Sequence, residues 1–433
     1  MSEPPDTARR PPAGRPPRVC IDARLEDGMH GGVQQEIMGL AAGLSRLGGD
    51  GEEEYLFLSY ASAERWLGPH LSGPCRLLPR PDPPPRRRRP RWRQALRDLD
   101  RRRVRLFRRL RGRPPVREAP LPGSDGTAEA AGADLLHFAT QLGYRTALPS
   151  IYAPQDLQHL HLPELFTEGE LAWRRGLYGP LCRQAAAVVA LARWGKDDLV
   201  RSFGLAPEKV FVIGLASILA ELPDPSPEEL AATRSRLALP AAFALFPAQT
   251  FRHKNHLGLL RAAAALRDRG LPVPLVFSGR QSDFFPEIER EIRRLRLGDQ
   301  VRAVGYLSPA ELKALYRLAR ILVFPSRFEG FGMPVVEAFQ AGLPVACSNA
   351  TCMPDIAGEA ALLFGPEDVP AMAAALERLW TDEALRARLA ARGRERAAAF
   401  SWDRMARGYR ALYRRVAGRP LGAEDRQLLE AMR

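Results

Sequence analysis

Pro325-Ser326-Arg327-Phe328-Glu329-Gly330-Phe331-Gly332-Met333-Pro334-Val335-Val336-Glu337-Ala338 sets two glutamates eight positions apart across a glycine-rich turn. The apolar run Ile321 to Phe324 before it reads as a buried strand. Gly330 and Gly332 let the backbone bend tightly and let a ligand approach it closely. Pro334 suits the first turn of a helix, where a missing N–H costs nothing. Strand, turn and helix together aim unpaired N–H groups and a positive dipole end at whatever lies above the turn. Glu329 stays in the loop beside that point and Glu337 lies about one turn into the helix. One carboxylate is placed to accept hydrogen bonds from a sugar, the other from a ribose.

Outward from this stretch, short apolar runs alternate with helical patterns. Val19 to Ile21, Tyr55 to Leu58, Leu135 to Phe138, Ser150 to Ala153, Val188 to Leu191 and Val210 to Ile213 form one series of expected strands. Phe243 to Phe246, Leu275 to Ser278, Val301 to Val304, Ile321 to Phe324 and Pro344 to Cys347 form a second. Such alternation predicts parallel sheets covered on both faces, in two successive doubly wound domains facing a central cleft. The expected boundaries are a disordered tail over 1–17, a first Rossmann-like domain over 18–217, a proline-rich linker over 218–235, a second Rossmann-like domain over 236–399, and a C-terminal segment over 400–433.

The chain resembles the family 4 type of retaining glycosyltransferases, which carry a Glu-x7-Glu motif in the second half of a GT-B fold. Beyond Glu329 and Glu337, the blocks Ser308-Pro-Ala-Glu311, Gly342-Leu-Pro-Val345, Pro354-Asp355, Ala360-Ala-Leu-Leu-Phe364 and Phe400-Ser-Trp-Asp403 follow the family's order and spacing. The likeness covers nearly the whole chain and is strongest over 236–416. It implies a GT-B fold whose last helix, Trp402 to Val416, crosses back to the first domain. It also implies retaining transfer by front-face attack.

Composition narrows the class. Five cysteines (Cys20, Cys75, Cys182, Cys347 and Cys352) are few, odd in number and scattered. That pattern predicts a reducing, cytoplasmic setting and neither a disulfide framework nor a zinc site, so no metal ligand is assigned. Residues 1–18 contain no apolar stretch, and no run approaches the roughly 18 residues a spanning helix needs. The net charge of +14 is local: residues 82–113 hold 15 arginines against Asp82, Asp98 and Asp100. In this basic insertion Trp92, Leu96, Leu99, Arg103, Phe107 and Leu110 fall near one helical face, broken only by Arg103. Either that face lies on an anionic membrane surface, making the protein peripheral, or it packs on the first domain. Nucleic acid is the least favoured partner, because the basicity is confined to this segment.

Several further residues carry the expected chemistry. Only four lysines stand beside 60 arginines, and Lys254 follows an expected strand. A lysine kept in so arginine-rich a chain suggests a need for a compact point charge. In the family an arginine and a lysine about five residues apart clamp a diphosphate at this place. Here Gln249 replaces the arginine, leaving Arg252 as a candidate substitute. The family resemblance further implies that Gly32, Tyr306, Leu307 and the Gly330-Phe331-Gly332-Met333 turn approach the donor, that Glu337 binds its ribose, and that Glu329 faces the transferred sugar. Ser308, Pro309 and Glu311 read as a capping box. On the acceptor side, Gln155 stands where relatives often have a histidine, immediately before Asp156. His159 or His161 is the candidate replacement, and His159 joins Glu329 and Lys254 as an expected catalytic residue. Ile213-Gly-Leu-Ala-Ser217 also departs from the relatives' Pro-Asn-Gly turn.

The resulting expectation is a metal-independent, cofactor-free transferase. It moves a hexose, with mannose the first guess, from a nucleoside diphosphate sugar to a hydroxyl of a glycan or lipid-linked acceptor in polysaccharide or glycolipid assembly. The alternatives are a GT-B epimerase or phosphorylase, or a non-catalytic scaffold that binds sugar or nucleic acid.

Overall fold

The computed structural model describes residues 15–25, 31–48, 53–84 and 119–433. It divides into two compact units, Met1–Gly214 with Trp402–Arg433, and Leu215–Ser401. The tail read over 1–17 and the basic insertion over 82–113 lie almost wholly outside the described residues.

The first unit is built on a seven-stranded parallel sheet. Its strands are β1 (Arg18–Asp22), β2 (Glu54–Tyr60), β3 (Cys75–Arg80), β4 (Leu135–Phe138), β5 (Ser150–Tyr152), β6 (Ala187–Ala190) and β7 (Val210–Val212), in the order β3-β2-β1-β4-β5-β6-β7. The second unit holds six: β8 (Ala244–Pro247), β9 (Leu275–Ser278), β10 (Val301–Gly305), β11 (Ile321–Phe324), β12 (Val345–Ser348) and β13 (Ala361–Phe364), in the order β10-β9-β8-β11-β12-β13. All pairings are parallel. Strands β4, β6, β8, β9, β11 and β12 are buried at every residue, as continuous apolar runs covered on two faces require.

Two strands escaped the sequence reading, and both are edges. β3 carries Arg76, Pro79 and Arg80 and is largely solvent-facing; β13 exposes Leu363. An edge strand keeps one side open to water and needs no apolar run. The segment read as a linker, 218–235, also differs. It holds the 3-10 turn Ile218–Glu221 and most of the helix Pro227–Arg236. Ser226 and Glu229 close a capping box around Pro227 at the helix start, so this proline serves a helix as well as a linker.

The C-terminal helices Trp402–Val416 and Ala423–Ala431 belong to the first unit. Trp402 lies so close to Gly39 of the helix Gly31–Arg46 that a Cβ there would sit 2.1 Å from the indole. The Tyr413 hydroxyl meets His137 Nδ1 at 2.8 Å, and the Val212 N–H donates to the Met432 carbonyl over 2.7 Å. These contacts tie the end of the chain to the first sheet.

Candidate functional site

In the second sheet the chain runs outward from β8 through β9 to β10, and from β11 through β12 to β13 the other way. Neighbouring strands β8 and β11 therefore mark the switch point, where their departing loops diverge and leave a crevice at the carboxyl ends. Lys254 comes from the loop after β8 and Glu329 from the loop after β11. Their side chains meet at the crevice, with Lys254 Nζ 2.6 Å from Glu329 Oε1. They are 17% and 13% exposed, enough for a ligand to touch them and too little for water to screen them fully. The ammonium also sits 5.4 Å from the centre of the Phe324 ring. The structure thus brings together two of the three expected catalytic residues.

Gly332 ends the Glu329 loop at φ +95° and caps the helix Met333–Gln340. A Cβ at Gly332 would lie 2.2 Å from Met353 Cε, so the methionine would have to shift, and the positive φ itself favours glycine. Gly330 takes no such conformation. The first N–H groups of the helix have no intrahelical acceptors and carry the positive end of the dipole. Phe331 is buried, edge-on to Phe400 at 5.7 Å.

Glu337 is 6% exposed. Its Oε2 accepts from the Tyr316 hydroxyl over 2.6 Å and its Oε1 from Ser217 Oγ over 3.1 Å. Burial raises its pKa above the usual carboxylate range, and the two hydrogen bonds offset part of that rise. A groove of about 500 Å³ flanks it, lined by Leu219, Lys313, Arg317 and Arg394 among others. Sequence reasoning missed Tyr316 and Ser217 as partners, although Ser217 ends the Ile213–Ser217 stretch noted as departing from the relatives' turn.

The loops after β8, β9 and β10 complete this end of the sheet. Gly305 turns at φ +74°, followed by Tyr306, 66% exposed, and Leu307, buried. The Arg280 guanidinium lies 5.0 Å from the centre of the Tyr306 ring. Ser308 and Glu311 form the expected capping box. Gln249 stands half-buried in the loop after β8. Arg252, the candidate substitute for the missing arginine, pairs with Glu287 at 2.8 Å and stacks on Phe284 at 4.2 Å.

In the first unit the switch point falls between β1 and β4. Gly31 and Gly32 open the helix after β1, rather than preceding it, with open space around Gly32. Gln155, after β5, adopts φ +70° and donates from Nε2 to Glu36 Oε2 over 2.9 Å. Glu36 is 1% exposed, and burial pushes its carboxyl up to about 8 against the lowering effect of the Gln155 bond. A signal for Glu36 existed: it falls three residues after Val33 and four before Leu40, on the apolar face of its helix. Asp156 accepts from the Gln158 N–H over 2.9 Å, which shapes the local turn.

His159 is a correction. It is fully buried and edge-on to Tyr178 at 4.9 Å. Neither ring nitrogen has a hydrogen-bond partner among the described residues. Burial, with Arg174 and Arg175 nearby, lowers its pKa to about 3, so it is a neutral packing residue. His161, the other candidate, is partly exposed, and its Nε2 lies 2.8 Å from Asp198. Among the described residues, no three His, Cys, Asp or Glu side chains gather where they could hold a metal ion, and no helix is long and apolar enough to cross a membrane.

Residues 232–396 match the family model described as "Glycosyl transferases group 1". The chain is similar to O-antigen chain mannosyltransferase B of Escherichia coli, at 30% identity over 51% of this chain and 58% of that protein. It is also similar to the MMP alpha-(1->4)-mannosyltransferase of Mycolicibacterium hassiacum, at 31% identity over 55% of this chain and 56% of that one. The chain thus spans a little over half the length of these curated relatives. Among solved structures, Anabaena Alr3699/HepE in complex with UDP and glucose superposes with a TM-score of 0.65, at 18% identity, over 91% of this chain and 98% of that one. That likeness is one of fold: two Rossmann-like parallel-sheet units, as in GT-B glycosyltransferases.

Proposed function

We propose that this chain is a glycosyltransferase that moves a hexose from a nucleoside diphosphate sugar to an acceptor hydroxyl with retention of configuration. The observation that carries the reading is the Lys254–Glu329 pair, 2.6 Å apart at the β8/β11 switch point. The match over residues 232–396 and the mannosyltransferase relatives support it.

In this reading Glu329 accepts hydrogen bonds from the transferred sugar and Glu337 from the donor ribose. The exposed Tyr306 face lies under the base. As the glycosidic bond to the diphosphate breaks, negative charge grows on the leaving phosphate oxygen. Lys254 and the helix N-terminus at Met333 stand to meet that charge, and no divalent ion is invoked. The acceptor hydroxyl attacks from the face the diphosphate leaves, and the departing phosphate oxygen takes its proton. GDP-mannose is the first donor to try, because two relatives are mannosyltransferases. UDP-glucose is the second, because the Anabaena structure holds UDP and glucose. A glycan or lipid-linked acceptor suits the O-antigen relative.

The test is thermal unfolding of the wild-type protein and of Glu337→Ala with GDP, UDP, ADP and dTDP and their common sugars. A ligand at about 100 times its dissociation constant adds roughly 2.7 kcal/mol of stability. One nucleotide raising the wild-type midpoint while leaving the variant unmoved is the expected result. A wild-type protein indifferent to every nucleotide would overturn the reading. It would favour instead the binding scaffold suggested by Gln249 and by the commitment of Arg252 to Glu287.

A further inference from the structure

Thr351 has an unusual backbone. In the loop after β12 it adopts φ +51°, a left-handed conformation that β-branched residues rarely take. Its hydroxyl serves one neighbour twice: Oγ1 accepts from the Glu329 N–H over 3.1 Å and donates to the Glu329 carbonyl over 2.9 Å. Cys352 Sγ donates to the same carbonyl over 3.2 Å. From the other side, Asn255 is also left-handed, at φ +64°, and 1% exposed. Its Nδ2 donates to the Pro325 carbonyl over 3.2 Å and to that of Pro366 over 2.6 Å. The Arg327 N–H donates to the His253 carbonyl over 2.7 Å. The loop carrying Glu329 is therefore held at several points by the segments that follow β8 and β12, and Ser348 Oγ adds a bond to the Ser326 carbonyl over 2.6 Å.

Strained non-glycine residues persist where their surroundings over-determine them, and they concentrate at functional sites. A loop needing only the bend would be better served by glycine or asparagine, which enter this region more cheaply. Threonine adds a hydroxyl that donates and accepts at once. Bonded to both peptide groups flanking the Glu329 Cα, it fixes that residue's backbone and so the direction of its Cβ. The carboxylate is thereby aimed at Lys254.

We infer that Thr351 is a positioning residue of the donor site, whose hydroxyl sets the Glu329 main chain so that its carboxylate faces the transferred sugar beside Lys254. The inference rests on the transferase reading of Glu329.

The experiment compares wild type with Thr351→Ser, Thr351→Val and Thr351→Gly. It measures nucleotide release from GDP-mannose and UDP-glucose, with methyl α-mannoside as acceptor, alongside unfolding midpoints with and without GDP and UDP. Glycine relieves the backbone strain while removing the hydroxyl, so Thr351→Gly should unfold closer to the wild-type midpoint than Thr351→Val, which keeps the strain and loses the same two bonds. It should still lose about 10- to 100-fold in kcat, the scale expected when a reacting group is misplaced by roughly an ångström. Thr351→Val should lose as much, with the donor KM within about threefold of wild type, and Thr351→Ser should retain kcat within about threefold. Full kcat in the valine and glycine variants beside an active wild type would overturn the positioning role. So would losses that merely track the folded fraction. A folded wild type that neither releases nucleotide nor shifts with it would overturn the transferase reading and this role with it.

Discussion

The Tyr316 hydroxyl donates to Glu337 Oε2 over 2.6 Å, in a place where both residues are almost wholly removed from water. Ser217 supplies the other oxygen, so both carboxylate oxygens of Glu337 are held before any ligand arrives. Tyr316→Phe keeps the ring packing and leaves one carboxylate oxygen short of a donor. The expected cost is about 1–3 kcal/mol of stability, read from urea unfolding, together with weaker binding of the stabilising nucleotide. An unchanged midpoint would mean that the hydroxyl does not support the carboxylate.

Lys254 and Glu329 should reveal their coupling through a double-mutant cycle. Lys254→Ala is expected to slow turnover by about 100- to 1000-fold, the typical loss when one preorganised charge-stabilising group is removed. It also strands a mostly buried carboxylate, so its unfolding midpoint should fall. Adding Glu329→Ala should recover part of that fall, with a coupling energy above about 0.5 kcal/mol. Strict additivity of the two stability losses would show that the pair is not energetically coupled.

Glu36 gives the fold a pH dependence of definite sign. Burial raises its pKa from the ordinary 4.5 to about 8, so the folded chain holds this proton more tightly than the unfolded chain does. Its contribution to stability is fully present below about 4.5 and is lost as pH climbs toward 8. One pKa unit is worth about 1.4 kcal/mol, which puts the effect at a few kcal/mol. Glu36→Gln can still accept from Gln155 but does not titrate. Its stability relative to wild type should grow between pH 5 and pH 8, measured by urea unfolding at each pH. Parallel curves for the two proteins would sink this account.

His159→Phe tests the packing assignment directly. The phenyl ring preserves the edge-on contact with Tyr178 and removes two nitrogens that lack partners. Stability should be unchanged or up to about 1 kcal/mol higher, and turnover should stay within twofold of wild type. A large fall in kcat with a normal midpoint would return His159 to the catalytic machinery.

The parts of this fold legible in the sequence are those where burial on two faces forces continuous apolar runs. Ile321 to Phe324 and Leu275 to Ser278 announce themselves for that reason. Cys75–Arg80 does not, because an edge strand tolerates exposed arginine and proline; Ala361–Phe364 is an apolar run that was quoted as a block but not read as a strand. At the site, Glu329, Gly332 and Lys254 were readable because glycine spacing and a scarce lysine are local signals. The roles of Thr351 and Asn255 were not, because each depends on a conformation and on partners from distant parts of the chain. His159 misled because a histidine's position in sequence says nothing of whether its ring meets solvent or Tyr178.

The closed Lys254–Glu329 pair also bears on what the crevice refuses. A bare anion such as inorganic phosphate can share the three-donor Lys254 ammonium, but it sets its charge against the Glu329 carboxylate and offers that group no donor. A neutral sugar can satisfy Glu329 and leaves the ammonium indifferent. A molecule that brings hydroxyl donors and an anionic group together, at the right separation, satisfies both at once. On the proposed reading, the pair therefore favours such a molecule over abundant solutes that carry only one of the two features.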